Sequence, residues 1–170
     1  MNEAVEERPD SRMVAVWTIR GTLAFLAFLV LPLLVSLAFA LMGSPEAWVG
    51  ILASLGALAG WAAVSYAWAV LNRRFFQWRL TDEEIVVSHG ILFRRRATIP
   101  FMRVQNVNVS RGPLLMLFGL SYVEIETAGQ RGGPYGRFSS EGYLPGVADG
   151  DALADRIVAR MKARKVREGL

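Results

Sequence analysis

Two long, uncharged apolar stretches separated by a short connector constrain this sequence more than any other feature. Residues 21–42 and residues 47–71 contain no Asp, Glu, Lys or Arg. As helices that rise about 1.5 Å per residue, both are long enough to cross a hydrocarbon layer of about 30 Å. Inside lipid, every backbone N–H and C=O group needs a partner within the segment, and a helix provides one. The sequence therefore predicts a transmembrane helical hairpin that turns at residues 43–46.

Basic residues flank the hairpin at both of its outer ends. They are Arg8, Arg12, Arg20, Arg73, Arg74 and Arg79. The connector carries a single charge, on Glu46. Because arginine-rich flanks stay in the cytoplasm, the pattern predicts a multi-pass topology with both termini cytoplasmic. The first stretch is too long for the apolar region of a signal peptide and a second stretch follows at once, so we expect no cleavage.

The composition of the two stretches favours an anchor. Neither contains the acidic or basic residues that pumps and proton relays place at membrane depth, which argues against an autonomous transporter. The second stretch is rich in small residues, and Gly56 and Gly60 form a GxxxG pair. Small residues let helices approach closely, so we expect this face to pack on the first helix or on another copy of the chain.

The character of the sequence changes after the hairpin. From Phe75 onward, apolar and polar residues alternate in six short segments bounded by turn residues, which is typical of antiparallel strands. Residues 150–167 carry apolar side chains at helical spacing, which predicts an amphipathic helix packed on a sheet. We therefore divide the chain into a disordered cytoplasmic lead over residues 1–13, a hairpin over 14–74 and a cytoplasmic domain with a basic tail over 75–170.

Five sequence blocks in the polar half carry a family resemblance. One is the glycine turn and arginine-rich segment at residues 90–96, and the others read WRLTxExI at residues 78–85, TIPxxRVQNVxV at 98–109, GPLxxxFGL at 112–120 and VxIETAG at 123–129. Preceded by a helical hairpin, they resemble the bacterial pleckstrin-homology-like (PH-like) membrane proteins of the YdbS/YdbT-like group, over residues 15–162. The resemblance implies an α+β membrane protein of the bacterial inner membrane. It also implies a PH-like antiparallel β-barrel or sheet after the hairpin, capped by the C-terminal amphipathic helix.

The most visible candidate for binding is the run Arg94, Arg95 and Arg96. Arginine forks match phosphate oxygens, so the run is a candidate clamp for lipid headgroups or a partner. Because consecutive strand residues point to opposite faces, at least one of the three faces away from the others, and a solvated strand face is the alternative. In PH domains that bind phosphoinositides, the basic residues surround the first hairpin loop. We assign that loop here to residues 81–84, which are acidic and repel phosphate.

Two further polar groups have both a structural and a functional interpretation. Arg103 and Gln105 lie between apolar residues, where they either recognise a partner or bridge a turn to nearby carbonyl groups. We favour the bridging role. The basic helix end at residues 160–167 either is a solvated terminus that complements the helix dipole or is attracted to anionic lipid.

Enzymatic signals are weak. His89 is the single histidine, the chain has no cysteine, and no GxSxG motif is present. Glu124 and Glu126 share one strand face and are candidates for acid–base work or cation binding, but a solvated face is the simpler interpretation. The glycine-rich residues 129–136 do not form a phosphate-binding loop motif. We expect no enzymatic activity, metal, cofactor, nucleic acid or small-molecule substrate.

These observations lead to one preferred hypothesis and one alternative. The preferred hypothesis is a non-enzymatic integral membrane protein that presents a cytoplasmic PH-like domain for protein or lipid interaction. Its expected partners are the bilayer itself and either a protein or another copy of the chain. The alternative is an accessory subunit of a membrane transport or toxin-resistance complex, assembled through the glycine-rich second helix.

Overall fold

The computed structural model describes residues 6–127 and 142–167. The glycine-rich residues 129–136 and the first five residues of the lead lie outside this range. In chain order the elements are β1 (Glu6–Glu7), α1 (Arg12–Leu41), α2 (Ala47–Phe75), β2 (Gln77–Leu80), β3 (Glu84–His89), β4 (Arg95–Pro100), a 3-10 turn (Phe101–Arg103), β5 (Val104–Ser110), α3 (Pro113–Leu117), β6 (Ser121–Thr127), β7 (Gly142–Val147) and α4 (Gly150–Arg167).

The chain forms two compact units. One, the hairpin unit, is Val14–Val70. The other, the β unit, combines Met1–Met13 with Leu71–Leu170. Because the hairpin unit separates the two parts of the β unit in the sequence, the β unit is discontinuous along the chain.

The hairpin unit consists of two helices that are long and apolar enough to cross a membrane. Glycine allows them to approach at both ends of their contact: a Cβ on Gly21 would lie 3.0 Å from the Ser65 hydroxyl, and one on Gly50 would lie 2.4 Å from that of Ser36. The Trp61 indole N–H donates to the Gly21 carbonyl at 3.1 Å. Its ring stacks on Phe25 with centroids 4.6 Å apart. Small residues and aromatic contacts of this kind join helices where lipid removes the hydrophobic driving force.

The β unit contains two antiparallel sheets with the strand orders β1-β2-β3-β4 and β5-β6-β7. The sheets do not close into a barrel, so the described strands match the sheet form of the expected PH-like fold. Alternation explains the core: Val123 and Ile125 are buried on β6, while Glu124 between them is only half-buried. Leu153 and Ile157 of α4 are fully buried in the same core, one helical turn apart.

The described part of the lead is ordered, contrary to the expectation for residues 1–13. Glu7 lies opposite Trp78 in the β1–β2 pair, and its carboxylate accepts a hydrogen bond from the indole N–H at 3.2 Å. Arg73 Nε donates to the Pro9 carbonyl at 2.9 Å. The sequence of the lead has no apolar periodicity, so its order arises from partners that lie more than sixty positions away along the chain.

Two buried contacts fix the end of the lead. The Asp10 amide donates to the Gly146 carbonyl at 2.9 Å. Gly146 has φ +67°, and a Cβ there would lie 2.8 Å from the Met13 side chain, so this close approach requires glycine. Arg12 pairs with the Asp10 carboxylate at 2.9 Å, and this hydrogen bond lowers the pKa of Asp10.

The position of β1 corrects the assignment of the first hairpin loop. Since β1 precedes α1 and pairs with β2, the connection between the first two strands is the entire α1–α2 hairpin. Residues 81–84 form the connection between the second and third strands instead. The acidic residues of that turn therefore do not argue against phosphate binding at the first strand connection, which is where other PH domains bind phosphoinositides.

Candidate functional site

A small cleft in the β unit brings Arg74 together with two arginines that lie at least twenty positions later in the sequence. Arg74 comes from the last turn of α2, Arg94 from the β3–β4 turn and Arg95 from the start of β4. We call this site the cationic cleft. Its volume is about 210 Å³, and Phe75, Gln77, Ser88, His89 and Gly90 complete its lining.

Local backbone geometry places these side chains. Gly90 has φ +111°, and a Cβ at this position would lie 1.9 Å from the Phe93 carbonyl oxygen. The tight turn after β3 therefore requires glycine. Beyond the turn, Arg95 lies directly opposite His89, so both residues reach the same side of the strand pair.

The electrostatic character of the cationic cleft is positive. The Arg94 guanidinium lies 5.5 Å from the centre of the Phe75 ring, in cation–π geometry. Burial, with the nearby Arg95 charge as a smaller cause, lowers the pKa of His89 and so favours its neutral imidazole. The lining includes no acidic residue, and within residues 6–127 and 142–167 no carboxylate pairs with Arg74, Arg94 or Arg95.

The size and polarity of the cleft limit what it can bind. Sites for drug-sized ligands usually measure about 300–1,000 Å³, so this cleft suits a smaller group. Guanidinium forks bind phosphate and carboxylate oxygens with two parallel hydrogen bonds. The cationic cleft can therefore hold a lipid phosphate or the carboxylate of an acidic side chain.

The structure separates the residues that the sequence singled out for binding. All three arginines of the run are exposed, but only Arg94 and Arg95 line the cationic cleft. Arg94 lies in the turn before β4, and Arg95 and Arg96 are consecutive residues of that strand, which point to opposite faces. Arg103 is exposed at the end of the 3-10 turn. Gln105 is exposed at a β-bulge, where the register of β5 against β6 shifts between Val104 and Asn106. Neither Arg103 nor Gln105 lines the cleft.

Sequence reasoning missed the contributions of Arg74 and Phe75 to this site. The sequence places Arg74 among the basic residues that flank the hairpin and Phe75 at the start of the alternating segments. The helix α2 instead continues through Phe75, four residues beyond the apolar stretch. The sequence did hint at a site here, because arginine and aromatic residues follow one another closely after Leu71. It does not show that Arg74 and Phe75 lie beside Arg94 and Arg95, because that depends on how the chain turns back from β3 to β4.

The paired carboxylates lie on the outer face of the second sheet. Glu126 is exposed and accepts a hydrogen bond from the Asn108 amide at 2.9 Å. Glu124 lies opposite Asn108 on β5 and Tyr143 on β7. Among the described residues, no cluster of three or more His, Asp or Glu side chains is placed to hold a metal ion.

Part of the basic end of α4 binds the first sheet. Arg164 pairs with Glu83 at 2.9 Å, and Arg160 donates to the Thr81 carbonyl. Arg156, one turn earlier, lies 3.5 Å from Glu7. These arginines therefore neutralise negative charge in the β2–β3 turn and in β1. Neither the solvated helix end nor the attraction to anionic lipid predicted this role.

The glycine pair of α2 is open. A Cβ built on Gly56 or on Gly60 would meet no atom within 4 Å, in contrast to Gly21 and Gly50 at the α1–α2 contact. We expected Gly56 and Gly60 to pack either on α1 or on another copy of the chain. Within the hairpin unit, α1 does not pack on them.

A family comparison agrees with this architecture. Residues 18–162 match the sequence pattern of the family described as Bacterial PH domain, and this range covers most of the 170 residues. The chain belongs to the bacterial PH domain family. The resemblance seen in the sequence blocks is thus confirmed, as is the expected order of an apolar helical hairpin, antiparallel sheets and a C-terminal helix.

Two curated relatives are similar to parts of this bacterial PH domain protein. UPF0699 transmembrane protein YdbS of Bacillus subtilis (strain 168) is 34% identical over 58 residues, which cover 34% of this chain and 36% of the relative. UPF0699 transmembrane protein YdbT of the same organism is 30% identical over 76 residues, which cover 45% of this chain and 15% of the relative. The chain thus spans much less than two thirds of either relative. No solved structure matches it at a significant level.

Proposed function

We propose that this bacterial PH domain protein is a non-enzymatic, multi-pass protein of the inner membrane whose β unit binds a protein or lipid partner in the cytoplasm. The contact site in this proposal is the cationic cleft. The observation that supports it is the convergence of Arg74 with the adjacent pair Arg94 and Arg95, without a carboxylate among the described lining residues. Like charges that converge in this way repel one another, so an anionic group that binds between them gains a favourable interaction.

Binding at the cleft would use both geometry and charge. Arg95 and Arg94 provide planar donors that match two oxygen atoms of a phosphate or carboxylate. Arg74 adds positive charge from the end of α2. Because the three arginines are exposed, added salt weakens the attraction, and affinity should fall as ionic strength rises.

The cleft can be tested by capturing partners of the full chain in its own membrane. Mild crosslinking, solubilisation and identification of the captured proteins and lipids would be carried out for the wild type and for the double variant Arg94→Gln/Arg95→Gln. Hydrogen bonds to charged groups contribute about 1.5–3 kcal/mol each, so we expect recovery of the partner to fall about tenfold or more.

Arg96→Gln is the matched control, since it removes the same charge from the adjacent position outside the cleft. We expect it to retain the partner. Equal recovery from the double variant and the wild type would show that the cleft is not the contact site.

The proposed topology has both termini in the cytoplasm and the connector outside. The flanking arginines support it, as does the word transmembrane in the names of both relatives. Because the chain has no cysteine, single substitutions provide clean labelling sites. A membrane-impermeant thiol reagent added to intact spheroplasts should label Ser44→Cys in the connector but not Val166→Cys in α4. Labelling of both from one side would contradict the topology.

The open glycine pair supports a second candidate function, that of an accessory subunit in a membrane transport or toxin-resistance complex. Its surface allows close approach of another transmembrane helix. Replacing Gly56 and Gly60 together by Leu should then abolish a co-purifying complex, while replacing both by Ala should weaken it less because Ala is still small. A complex that survives the Leu substitutions would exclude this assembly surface.

A further inference from the structure

The single histidine of the chain lies at the cationic cleft and is held in place there. The imidazole of His89 stacks on the buried ring of Phe76, with centroids 5.7 Å apart and ring planes 22° from parallel. In the part of the chain that the structure describes, its Nδ1 atom is shielded from water and has no hydrogen-bond partner. Buried nitrogen atoms normally have a partner, so this one requires an explanation.

The charged groups that line the cleft around His89 are all basic among the described residues. Arg95 lies directly opposite His89 on β4. Arg94 comes from the turn before that strand and Arg74 from the last turn of α2, while β2 contributes the uncharged Gln77. Protonation of the imidazole would add a fourth positive charge to this group. It is therefore unfavourable unless a negative charge enters the cleft as well.

The donors of the cleft are too many for one carboxylate. Each of the three guanidinium groups carries five N–H donors, and the Ser88 hydroxyl and the Gln77 amide also line the site. A carboxylate has two oxygens and one charge, whereas a phosphate group has three terminal oxygens and a charge close to two at neutral pH. Because Coulomb energy is proportional to charge, the dianion gains more from the same three arginines. Of the two anions that fit the cleft, the phosphate group is therefore favoured.

We infer that the cationic cleft binds a phosphate-type dianion and that His89 takes up a proton as the dianion binds. This inference deepens the proposed function and rests on it for the contact site. The dianion offsets the repulsion between Arg95 and the protonated imidazole, and the imidazolium offers a charged donor to the dianion. Coupling between two ligands is reciprocal, so the dianion binds more tightly at lower pH. The phosphate group belongs either to a lipid headgroup or to a soluble compound.

The titration of His89 supports the direction of this coupling. Burial and, to a smaller extent, the Arg95 charge lower its pKa below the ordinary value of 6.5. A bound dianion brings the opposite charge, so it should raise the pKa of His89. Affinity is then weakest where the imidazole is neutral in both states, and it increases as pH falls through the pKa of the bound state.

The single histidine allows a direct test on the full chain in detergent micelles. The protein would carry isotope-labelled histidine and no polyhistidine tag, and nuclear magnetic resonance would follow the imidazole as pH changes. Sulfate is the probe, because it remains a tetrahedral dianion wherever histidine titrates. Relative to chloride at equal ionic strength, sulfate should raise the pKa of His89. Its affinity should increase about tenfold between about pH 8 and pH 5.

Three variants separate a specific site from general screening. Arg94→Gln/Arg95→Gln should abolish the effect of sulfate on the pKa of His89, whereas Arg96→Gln, which removes a charge outside the cleft, should retain it. His89→Gln should bind sulfate with an affinity that no longer increases as pH falls. An unchanged pKa in sulfate, or an equal rise in the double variant, would overturn the inference. An equal rise with acetate would overturn the preference for a dianion.

Two phosphate compounds distinguish the sources of the ligand. Glycerol phosphate and dioctanoyl phosphatidic acid would each be titrated into the same micelles. Tighter binding of the lipid supports a headgroup ligand, equal affinities support a soluble one, and binding of neither overturns the inference. The result is also separable from the capture of partners. If sulfate raises the pKa of His89 while Arg94→Gln/Arg95→Gln still captures the partner, the cleft binds an anion but is not the contact site.

Discussion

The hairpin unit and the β unit use the same kinds of side chain in opposite ways. In the hairpin, Phe28 is 76% exposed and Trp61 is 43% exposed, whereas in the β unit Phe101 is 0% exposed and Trp78 is 2% exposed. In water, burial of apolar surface drives the β unit together. In lipid that drive is absent, so glycine, serine and aromatic contacts join the helices while large apolar residues face outward. A large apolar residue in the sequence therefore indicates a buried core position only in a unit that is surrounded by water.

The two units also differ in how they are encoded along the chain. The hairpin is one continuous segment whose helices are joined by a short connector. The β unit is completed by Met1–Met13, which are separated from the rest of it by the whole hairpin. Local composition is therefore sufficient to recognise the first unit but not to delimit the second.

The largest expected effect comes from removing the part of the β unit that precedes the hairpin. A chain containing only Leu71–Leu170 lacks β1 and the buried Met13, together with the bonds made by Glu7 and Pro9. Loss of one buried Met side chain alone costs about 2–5 kcal/mol, which is much of the 5–15 kcal/mol that typically stabilises a domain. We expect this fragment to be unfolded or to unfold at much lower urea concentration, as measured by circular dichroism.

The matched control joins residues 6–13 to residues 71–170 through a short flexible linker. A short linker suffices because Arg73 Nε lies 2.9 Å from the Pro9 carbonyl oxygen. This chain should fold cooperatively. Equal stability of the two fragments would show that the lead adds nothing to the β unit.

A second prediction compares two leucines in opposite environments. Leu144 is 0% exposed in the core of the β unit, and Leu31 is 70% exposed on α1. We expect Leu144→Ala to destabilise the β unit by about 2–5 kcal/mol because it leaves a cavity. Leu31→Ala should leave the stability of the β unit within about 0.5 kcal/mol of wild type.

Pulse proteolysis of the full chain in detergent micelles at increasing urea concentration would measure both variants. If Leu31→Ala lowers the urea concentration at which the β unit is cleaved as much as Leu144→Ala does, the proposed difference between the two environments is wrong.

The smallest predicted effect concerns pH. Burial lowers the pKa of His89 in the folded protein below its ordinary value of 6.5. The unfolded chain therefore binds more protons than the folded chain as pH falls through that value, and stability decreases in this window. Partial solvation of the imidazole keeps the effect small. Asp10, whose pKa is lowered from 3.8, loses its stabilising contribution only at more acidic pH, so the two effects are separable.

Urea unfolding of the full chain in detergent, repeated at decreasing pH, would measure this dependence. His89→Gln should flatten the stability profile around pH 6.5 while retaining a polar side chain at the edge of the cationic cleft. If the free energy of unfolding changes with pH equally in the variant and the wild type, the pH dependence comes from groups other than His89.

Much of the fold was predictable because its signals are periodic. The apolar stretches, the alternation from Phe75 onward and the helix over residues 150–167 each involve consecutive residues whose pattern follows from helix or strand geometry. The structure extends both apolar helices beyond these stretches, to Arg12 at one end and Phe75 at the other. Packing and hydrogen bonds support those additional turns, and neither is visible in a hydropathy pattern.

Less of the candidate site was predictable. Arg94 and Arg95 are adjacent in the sequence, but strand alternation alone would group Arg94 with Arg96. Arg94 lines the cleft with Arg95 because it lies in the turn before β4. Arg74 joins them only because β3 and β4 fold back toward the end of α2. Arg103 and Gln105, for which the sequence favours a bridging role, lie at the end of the 3-10 turn and at the bulge in β5, outside the lining of the cleft.

The sequence by itself determined that the chain has a bilayer-compatible hairpin followed by a β-rich half with a final helix. Those properties depend on the hydropathy and spacing of residues that are close in the sequence and that lie in the same helix or strand. Only the tertiary structure decided that the lead supplies the first strand and that Arg74 meets Arg94 and Arg95 in one cleft. Each of these depends on side chains and carbonyl groups that are distant along the chain and lie within a few ångströms only after folding.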